Sequence, residues 1–354
     1  MAKLILQGKW KHKCRSLAVL VALSNIVWWK RLFGRGLVRD WTHLFETANV
    51  FWREQFTHAL RQKQIEEGRA YFDSLVPLVE VKESVERLPA APHEPAGEWF
   101  LPRRPSVDAT ILYFHGGGYA FYAETSKRFI ALQAHAIGCP VFALDYRLTP
   151  EHPHPAQLDD AIGAYRFLLA RGVDPARLVV GGDSAGGHLM LMMLAHLKRL
   201  DLPQPALGYG LSPWTDIGER GRSFFGNDRY DMVQGYMALR FGDWLRGNER
   251  HTAEALSPVH LDFTGTAPVY LQAGGREILV DMIRDFARII NKQGARVRLE
   301  VWPEMTHEFQ AYGDDLPESA ESLAHVSDAI RWAVGGQLGD DRFARTPRVE
   351  VDSF

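Results

Sequence analysis

Short apolar runs alternate with amphipathic stretches over the last two-thirds of the chain. Runs rich in Val, Ile and Leu predict buried strands at 109–114, 141–144, 178–181, 206–211, 269–272 and 297–301. Apolar residues at helical spacing predict helices between them, at 126–137, 157–170, 185–200, 281–292 and 319–333. This alternation predicts an α/β fold, a mostly parallel central sheet flanked by helices, with functional residues in the loops after the strands.

The first third of the chain has a different pattern. From residue 39 to 79 the apolar residues, among them Leu44, Phe51 and Phe56, recur at helical spacing. A proline-rich stretch at 88–102, "LPAAPHEPAGEWFLP", then predicts a linker. The pattern therefore predicts a helical N-terminal unit that is joined to the α/β part.

An apolar run, "LAVLVALSNIVWW", occupies residues 17–29 and has Lys or Arg on both sides. It is shorter than the roughly 20 apolar residues of a membrane span, and no small-residue cleavage site of a secretory signal follows it. Three interpretations stay open: a buried helix that packs on the body, an interfacial anchor with its tryptophans at the headgroup level, and a true span. The second would bring residues 1–35 into peripheral contact with a membrane.

Composition narrows the function classes. Apolar residues make up 46% and charged residues 24% of the 354 residues, which is typical of a globular protein. The net charge of −2 predicts no nucleic-acid partner. The two cysteines, Cys14 and Cys139, form neither a disulfide framework nor a zinc-ligand cluster in the sequence. No Asn-x-Ser/Thr acceptor occurs, so we predict a cytoplasmic protein, with membrane association through its N-terminus left open.

The segment "VVGGDSAGGHL" at 179–189 places a serine between a predicted strand and a predicted helix. Its "GDSAG" has the G-x-S-x-G form of a nucleophile elbow, a sharp turn with glycines where side chains would collide. We therefore predict Ser184 as the catalytic nucleophile. The alternative is a tight turn with an incidental serine.

A second glycine-rich turn, "HGGGY" at 115–119, follows the first predicted strand. Bare glycine amides can donate to the anionic oxygen of a tetrahedral intermediate. We predict an oxyanion hole made of the amides of Gly116, Gly117 and Ala185. A phosphate-binding loop is the other interpretation, but the sequence lacks the lysine and the glycine spacing of such loops. His115 is expected to hold the loop by a hydrogen bond.

Four blocks of sequence occur in a family-specific order. They are "HGGGY" (115–119), "LDYRLTPEHPHPAQLDDAIGAYRFL" (144–168), "GDSAGG" (182–187) and "SPWTD" (212–216). In these blocks the chain resembles the hormone-sensitive-lipase-type esterases and lipases of the α/β-hydrolase superfamily, over roughly residues 100 to 335. The resemblance implies an α/β-hydrolase fold with a helical cap, serine carboxylesterase or lipase activity, and no metal or cofactor. It also implies a structural role near the elbow for Asp145, Tyr146, Arg147, Asp159 and Asp160.

A serine nucleophile needs a base, and this fold orders its triad as Ser, acid, His along the chain. His307 follows the last predicted strand, in "VRLEVWPEMTHEF" (297–309), and it matches the family's histidine block. We predict His307 as the general base. Most other histidines precede the catalytic core or lie inside predicted helices, and His188, one turn past Ser184, is expected to face away from the reacting atom.

Two carboxylates lie in "GGREILVD" (274–281), after the strand predicted at 269–272. The resembling family usually has an aspartate where this chain has Glu277, and a second aspartate where it has Asp281. A glutamate can still accept an imidazole N–H. An acid in the first turn of a helix, as predicted for Asp281, is stabilised by the helix dipole without any catalytic role. We predict Glu277 as the triad acid, with Asp281 as the alternative.

The stretch "DMVQGYMALRFGDWLRG" (231–247) has helical spacing and many aromatic residues. It predicts a cap insertion at about 217–262, within a catalytic domain of residues 101–335. Residues 1–100 are predicted as an N-terminal helical cap with the membrane-associating segment and the linker, and residues 336–354 as a peripheral tail. The cap elements would line an apolar pocket, for which Tyr119 and Trp214 are the candidate residues.

The sequence thus predicts a serine carboxylic-ester hydrolase that acts on a small-molecule apolar ester through an acyl-enzyme on Ser184. An acyltransferase or lactone-forming enzyme would use the same triad, and a non-catalytic ligand receptor would use the same scaffold. Receptors commonly lose triad residues, whereas Ser184, His307 and an acid are all present here. The acyl-chain length and the oligomeric state do not follow from the sequence.

Overall fold

A computed structural model of the chain describes residues 3–78, 85–247, 249–335 and 350–353. The strands, numbered along the chain, are β1 (Lys3–Leu6), β2 (Leu75–Leu78), β3 (Val85–Pro89), β4 (Gly97–Pro102), β5 (Thr110–Phe114), β6 (Val141–Leu144), β7 (Leu178–Asp183), β8 (Leu207–Leu211), β9 (Val269–Gly274), β10 (Val297–Trp302) and β11 (Glu350–Ser353). Nine of them form one sheet in the order β11-β10-β9-β8-β7-β5-β6-β4-β3, and β1 pairs with β2 in a separate antiparallel ribbon.

The helices lie on both faces of this sheet and in the N-terminal region. They are α1 (Trp10–Leu32), α2 (His43–Leu60), α3 (Ile65–Phe72), α4 (Glu124–Ile137), α5 (Ala156–Ala170), α6 (Ala185–Arg199), α7 (Ser223–Gly226), α8 (Gly235–Arg246), α9 (Val280–Lys292) and α10 (Pro317–Val334). One apolar core lies between the sheet and α5, α6 and α9, and a second lies between the sheet and α4 and α10. Because both faces are covered, the central strands are almost wholly buried, which explains their continuous apolar runs.

The predicted mostly parallel sheet is confirmed. Strands β5 to β10 pair in parallel, and each strand and helix predicted from the pattern is present with bounds within two residues of the expected ones. The loops that carry the predicted functional residues therefore leave the sheet at one edge. They follow β5 (115–119), β7 (Ser184), β8 (Trp214), β9 (Glu277) and β10 (His307).

The linker predicted at 88–102 is wrong. Strand β4 pairs antiparallel with β6, and β3 pairs antiparallel with β4, so this stretch forms one end of the main sheet. Pro89 is tolerated in β3 because, among the described strands, β3 is an edge strand with one side of its backbone free of sheet hydrogen bonds, and Pro92 and Pro95 lie in the turn between β3 and β4. At the other end, β11 lies within the predicted C-terminal tail and pairs antiparallel with β10, while residues 336–349 lie outside the described part.

The apolar run near the N-terminus lies in α1, and its interpretation as a buried helix is wrong. Of the 23 residues of α1, two are buried, Ser16 and Val27. The neighbouring α2 has nine buried residues and packs against both α1 and α3. Within residues 3–78, 85–247, 249–335 and 350–353, no helix is both long and apolar enough to cross a bilayer.

Candidate active site

Ser184 stands at the tight turn between β7 and α6. Its φ of 51° and ψ of −116° are unusual for a residue with a side chain, and such strain is characteristic of functional turns. The backbone is held in this conformation by a hydrogen bond of 2.9 Å from the Ser184 N–H to the Leu211 carbonyl of β8. The residue lines a cavity above the sheet edge, so its hydroxyl is positioned to meet a ligand.

The preceding residue, Asp183, fastens the glycine-rich loop to the turn. Its carboxylate accepts hydrogen bonds from the Tyr113 hydroxyl at 2.6 Å and from the Gly116 N–H at 2.9 Å. The Gly116 amide therefore points at Asp183, which corrects its predicted place in the oxyanion hole. This use of Gly116 was invisible in the sequence because Asp183 lies 67 positions further along the chain.

The remaining loop amides are candidates for the oxyanion hole. Gly117 has a φ of 101°, and a Cβ on it would lie 2.3 Å from the Phe121 carbonyl oxygen, so this position requires glycine. Among the described residues, the N–H groups of Gly117, Gly118 and Ala185 have no hydrogen-bond partner. Gly117, Gly118, Asp183 and Ser184 all line the same cavity.

His115 has the structural role that was expected. Its Nδ1 lies 2.7 Å from the Gly116 carbonyl oxygen, and its ring is stacked between Tyr122 and Tyr146. Burial lowers the pKa of His115 to about 3, so the ring is neutral in this environment. Together these contacts hold the first turn of the glycine-rich loop.

His307 and Glu277 face each other in the buried floor of the site. The distance between His307 Nδ1 and Glu277 Oε1 is 4.0 Å, and the two side chains are at most 1% exposed. Among the residues that the structure describes, neither ring nitrogen of His307 has a hydrogen-bond partner. Burial lowers the pKa of His307 to about 3, which keeps the ring neutral. Catalytic hydrogen bonds are often long in ligand-free structures and shorten in the reacting complex.

The second oxygen of Glu277 is fixed by its surroundings. It accepts hydrogen bonds of 2.7 Å from the Ser212 hydroxyl and from the Gly274 N–H. Burial raises the pKa of Glu277 to about 8, the charge of Asp231 acts in the same direction, and these two hydrogen bonds act against it. The alternative acid, Asp281, lies in the first turn of α9 and accepts a hydrogen bond from the Ser223 N–H instead.

Asp231 is a site residue that the sequence did not single out. Its carboxylate is fully buried and accepts backbone hydrogen bonds from Ile278 at 2.7 Å and His307 at 3.3 Å. It therefore joins the loop of the proposed acid to the loop of the histidine. Burial raises the pKa of Asp231 to about 7 although three backbone N–H groups donate to it. The sequence contains no local signal for this role, because Asp231 precedes a cap helix.

Glu308 was also missed. It has a positive φ of 53°, its Oε1 lies 3.5 Å from His307 Nε2, and it forms a side-chain hydrogen bond with Asp183. Burial and the charge of Asp183 raise the pKa of Glu308 well above its usual range. This pair joins the histidine loop to the elbow and, through Asp183, to the glycine-rich loop.

A cavity of about 670 Å³ extends from Ser184 and His307 toward the N-terminal helices. Its walls are mainly apolar and aromatic, and they include Phe51, Phe121, Trp214 and Phe241. Trp214 thus lies where it was predicted. Tyr119 does not: it is buried behind the loop, where its hydroxyl contacts His188 Nδ1 at 2.6 Å. His188 also contacts the Leu256 carbonyl and takes no part in the cavity wall.

Three of the five residues to which the resemblance gave a structural role, Tyr146, Arg147 and Asp160, form contacts that connect loops of the second sequence block. Arg147 forms a bidentate ion pair with Asp160, with contacts of 2.8 to 3.0 Å. The Tyr146 hydroxyl donates to the His115 carbonyl at 2.6 Å. None of Tyr146, Arg147 and Asp160 lines the cavity.

The chain is similar to known proteins over its central part. A family described as having the α/β hydrolase fold matches residues 111–311. An acetyl-hydrolase of Streptomyces hygroscopicus is 36% identical over 248 residues, 68% of this chain and 81% of the relative. A carboxylesterase of Mycobacterium tuberculosis, NlhH, is 30% identical over 238 residues, 63% of this chain and 73% of the relative.

Solved structures of esterases are also similar to this chain. The crystal structure of an esterase from the bacterial hormone-sensitive lipase family is 29% identical, with a TM-score of 0.68, and the match covers 93% of this chain and 100% of that one. The structure of EstE5, soaked with ethyl alcohol, is 28% identical with a TM-score of 0.73, covering 81% of this chain and 97% of that one.

Proposed function

This chain belongs to the α/β-hydrolase family, among the carboxylic-ester hydrolases of the hormone-sensitive-lipase type, and we propose that it cleaves an apolar ester through an acyl-enzyme on Ser184. The observation that carries the proposal is the strained Ser184 at the end of β7, in one cavity with His307. A serine hydroxyl is a weak nucleophile until a neighbouring base removes its proton. A neutral histidine in the same cavity is such a base.

In the proposed reaction, Ser184 attacks the ester carbonyl carbon as His307 takes the hydroxyl proton at Nε2. The tetrahedral intermediate collapses when His307 returns this proton to the leaving alcohol oxygen, which leaves an acyl-enzyme on Ser184. Water, activated by His307, then attacks the acyl carbonyl and releases the acid. Glu277 orients His307 through Nδ1 and, once ionised above its raised pKa of about 8, balances the positive charge that the ring acquires.

The amides of Gly117, Gly118 and Ala185 are the proposed donors to the oxyanion. They belong to the loop after β5 and to the first turn of α6, and Gly117 and Gly118 line the same cavity as Ser184. Backbone donors that are already oriented cost no reorganisation during the reaction, and loss of one typically costs about 2.7–4 kcal/mol of transition-state stabilisation. The positive end of the α6 dipole acts in the same direction.

The cavity wall supports an apolar acyl or alcohol group in the substrate. Aromatic side chains from α2, the loop after β5 and α8 contribute Phe51, Phe121 and Phe241 to it. Removing apolar surface from water contributes roughly 25 cal/mol per Å², so a longer apolar chain should bind more tightly until the cavity is filled. Peripheral contact of residues 1–35 with a membrane remains part of this proposal.

Initial rates with p-nitrophenyl esters from acetate to palmitate test this function. Ser184→Ala should lower kcat by about 10⁴-fold or more for each ester, because the nucleophile is lost. Ser106→Ala, in the exposed loop before β5, is the control and should keep the wild-type rate. Wild-type-like turnover by Ser184→Ala would refute the proposal, and transfer of the acyl group to an added alcohol in place of hydrolysis would assign the chain to the acyltransferases.

A further inference from the structure

Large exposed apolar side chains are concentrated at one end of the chain. In the described part of the protein, twelve of the sixteen that are exposed belong to residues 4–44. They include three tryptophans, Trp10, Trp28 and Trp29, each at least half exposed. Single exposed apolar residues are normal on protein surfaces, whereas a contiguous group marks an interaction site.

Five of these side chains form a stripe along α1. Trp10, Leu17, Val21, Trp28 and Leu32 are all more than 40% exposed, and their spacings of seven and four residues put them on one helical face. The two buried residues, Ser16 and Val27, lie on a different face, toward α2. At the end of the helix, Trp29 stacks on Phe33, which is 67% exposed. We call the twelve exposed large apolar side chains of residues 4–44 the apolar face.

The charge around the apolar face is one-sided. Residues 1–39 contain nine Lys or Arg and no Asp or Glu, so the other 315 residues have 32 Lys or Arg against 43 Asp or Glu. Three of these basic residues form ion pairs with glutamates of α2 and α3, namely Lys9, Arg15 and Arg31. Lys11, Lys30 and Arg35 are exposed at the two ends of the stripe. Basic and aromatic residues beside an apolar stripe complement an anionic lipid surface.

The apolar face is continuous with the active-site cavity. Leu4, Val21 and Leu44 are exposed, and they also line the cavity that reaches Ser184 and His307. A molecule that leaves a lipid phase at this face would therefore meet apolar wall from the entrance to the nucleophile. An aqueous entrance would require no such apolar rim.

We propose that the apolar face docks on an anionic lipid surface, with α1 lying in the plane of that surface, and that ester substrates pass from the lipid into the cavity between α1 and α2. Helix α1 is about 34 Å long at 1.5 Å per residue, which allows its whole stripe to contact the headgroup boundary. The docking stands independently of the chemistry, whereas the route of the ester rests on the proposed function.

Vesicle co-sedimentation of the full chain tests the docking. We expect binding to phosphatidylglycerol–phosphatidylcholine vesicles that weakens with added salt, and much weaker binding to phosphatidylcholine alone. The triple variant Trp10→Ser/Leu17→Ser/Trp28→Ser should reduce the partition coefficient by about tenfold or more. Its matched control is Leu88→Ser/Leu200→Ser/Phe225→Ser, which removes exposed apolar residues outside the apolar face and should bind as the wild type does.

Hydrolysis measurements test the route. Trp10, Leu17 and Trp28 do not line the cavity, so the triple variant should hydrolyse soluble p-nitrophenyl acetate normally. It should be slow on a long-chain ester that is presented in the anionic vesicles. Ser184→Ala should bind vesicles fully and hydrolyse neither substrate, so that failure of the chemistry and failure of the docking give different results.

Three results would overturn the proposal. The first is the absence of wild-type binding to anionic vesicles, and the second is equal binding by the triple variant. The third is a wild-type protein that does not bind vesicles and is a dimer in light scattering, while the triple variant is a monomer. This result would assign the apolar face to contact with a second copy of this chain.

Discussion

The nucleophile side and the histidine side of the candidate triad are held in place by different means. Ser184 takes its geometry from consecutive residues of β7 and α6, where glycines allow the chain to turn sharply. His307 takes its surroundings from separate segments, which contribute Glu277, Asp231 and Ser212. Glu308 and Asp183 connect the two sides. One side is therefore a local motif, and the other is a product of tertiary packing.

The difference predicts different responses to substitution. On the nucleophile side, there is no room for added side-chain atoms, because backbone segments from two strands and a helix meet there. On the histidine side, charge is the limiting factor, because the carboxyl groups of Glu277, Asp231 and Glu308 are buried close together and burial raises the pKa of each. Changes in volume should therefore be severe near Ser184, and changes in charge should be graded near His307.

Gly186→Ala should have the largest effect. A Cβ on Gly186 would lie 1.9 Å from the Phe114 carbonyl oxygen and 2.6 Å from that of His115, and backbone atoms have no room to move away. We expect a loss of unfolding free energy of about 5 kcal/mol or more, and no active protein. Urea denaturation and yield of folded protein measure it.

Gly163→Ala is the matched control for that substitution. It lies in α5 with no atom within 4 Å of the added Cβ, and alanine favours a helix by about 0.5–1 kcal/mol over glycine. The control should therefore be as stable as the wild type or slightly more. If Gly186→Ala folded and worked normally, the close packing of this turn would not be needed.

Above the raised pKa of about 8, where Glu277 is ionised, Glu277→Gln should reduce kcat by about 10⁴-fold, or about 5.5 kcal/mol, since a neutral amide cannot balance the imidazolium charge or hold the ring in the correct tautomer. Asp281→Asn should change kcat by less than about threefold, because its carboxylate bonds to the Ser223 N–H. Steady-state kinetics with a short ester give both values. A larger loss of kcat in Asp281→Asn than in Glu277→Gln would identify Asp281 as the triad acid.

Asp231→Asn should have the smallest effect, seen in the dependence of stability on pH. The folded pKa of Asp231 is raised to about 7 by burial, whereas the unfolded value is about 3.9. The proton is therefore held more tightly in the folded state. This tighter binding of the proton contributes up to about 4 kcal/mol to the free energy of unfolding. The contribution is complete below a pH of about 4 and is lost as the pH rises to about 7.

The asparagine variant lacks this titration. The difference in unfolding free energy between wild type and Asp231→Asn should therefore fall as the pH rises from 4 to 8. Chemical denaturation at several pH values measures it, and Asp243→Asn on the exposed side of α8 controls for the loss of a carboxyl group. A difference that stays constant with pH would contradict the tight binding of a proton at Asp231.

The pattern of the sequence by itself determined the central sheet, the helices around it and the position of Ser184. Strand and helix periodicity are properties of neighbouring residues, and burial on both faces of a parallel sheet makes the strands stand out as apolar runs. The elbow motif is equally local, and His307 was predicted from chain order, its position after the last strand and its match to the family's histidine block. These features need no knowledge of which segments meet in space.

Only the tertiary structure decided how the loops meet. The Gly116 amide bonds to Asp183, Tyr119 turns to His188, and Asp231 and Glu308 enter the site, because each contact joins residues far apart in sequence. The exposure of α1 was also decided by the tertiary structure. Its apolar composition predicts burial, but a helix is buried only where another surface covers it. Periodicity shows which residues share a face, and only the packed chain shows what that face contacts.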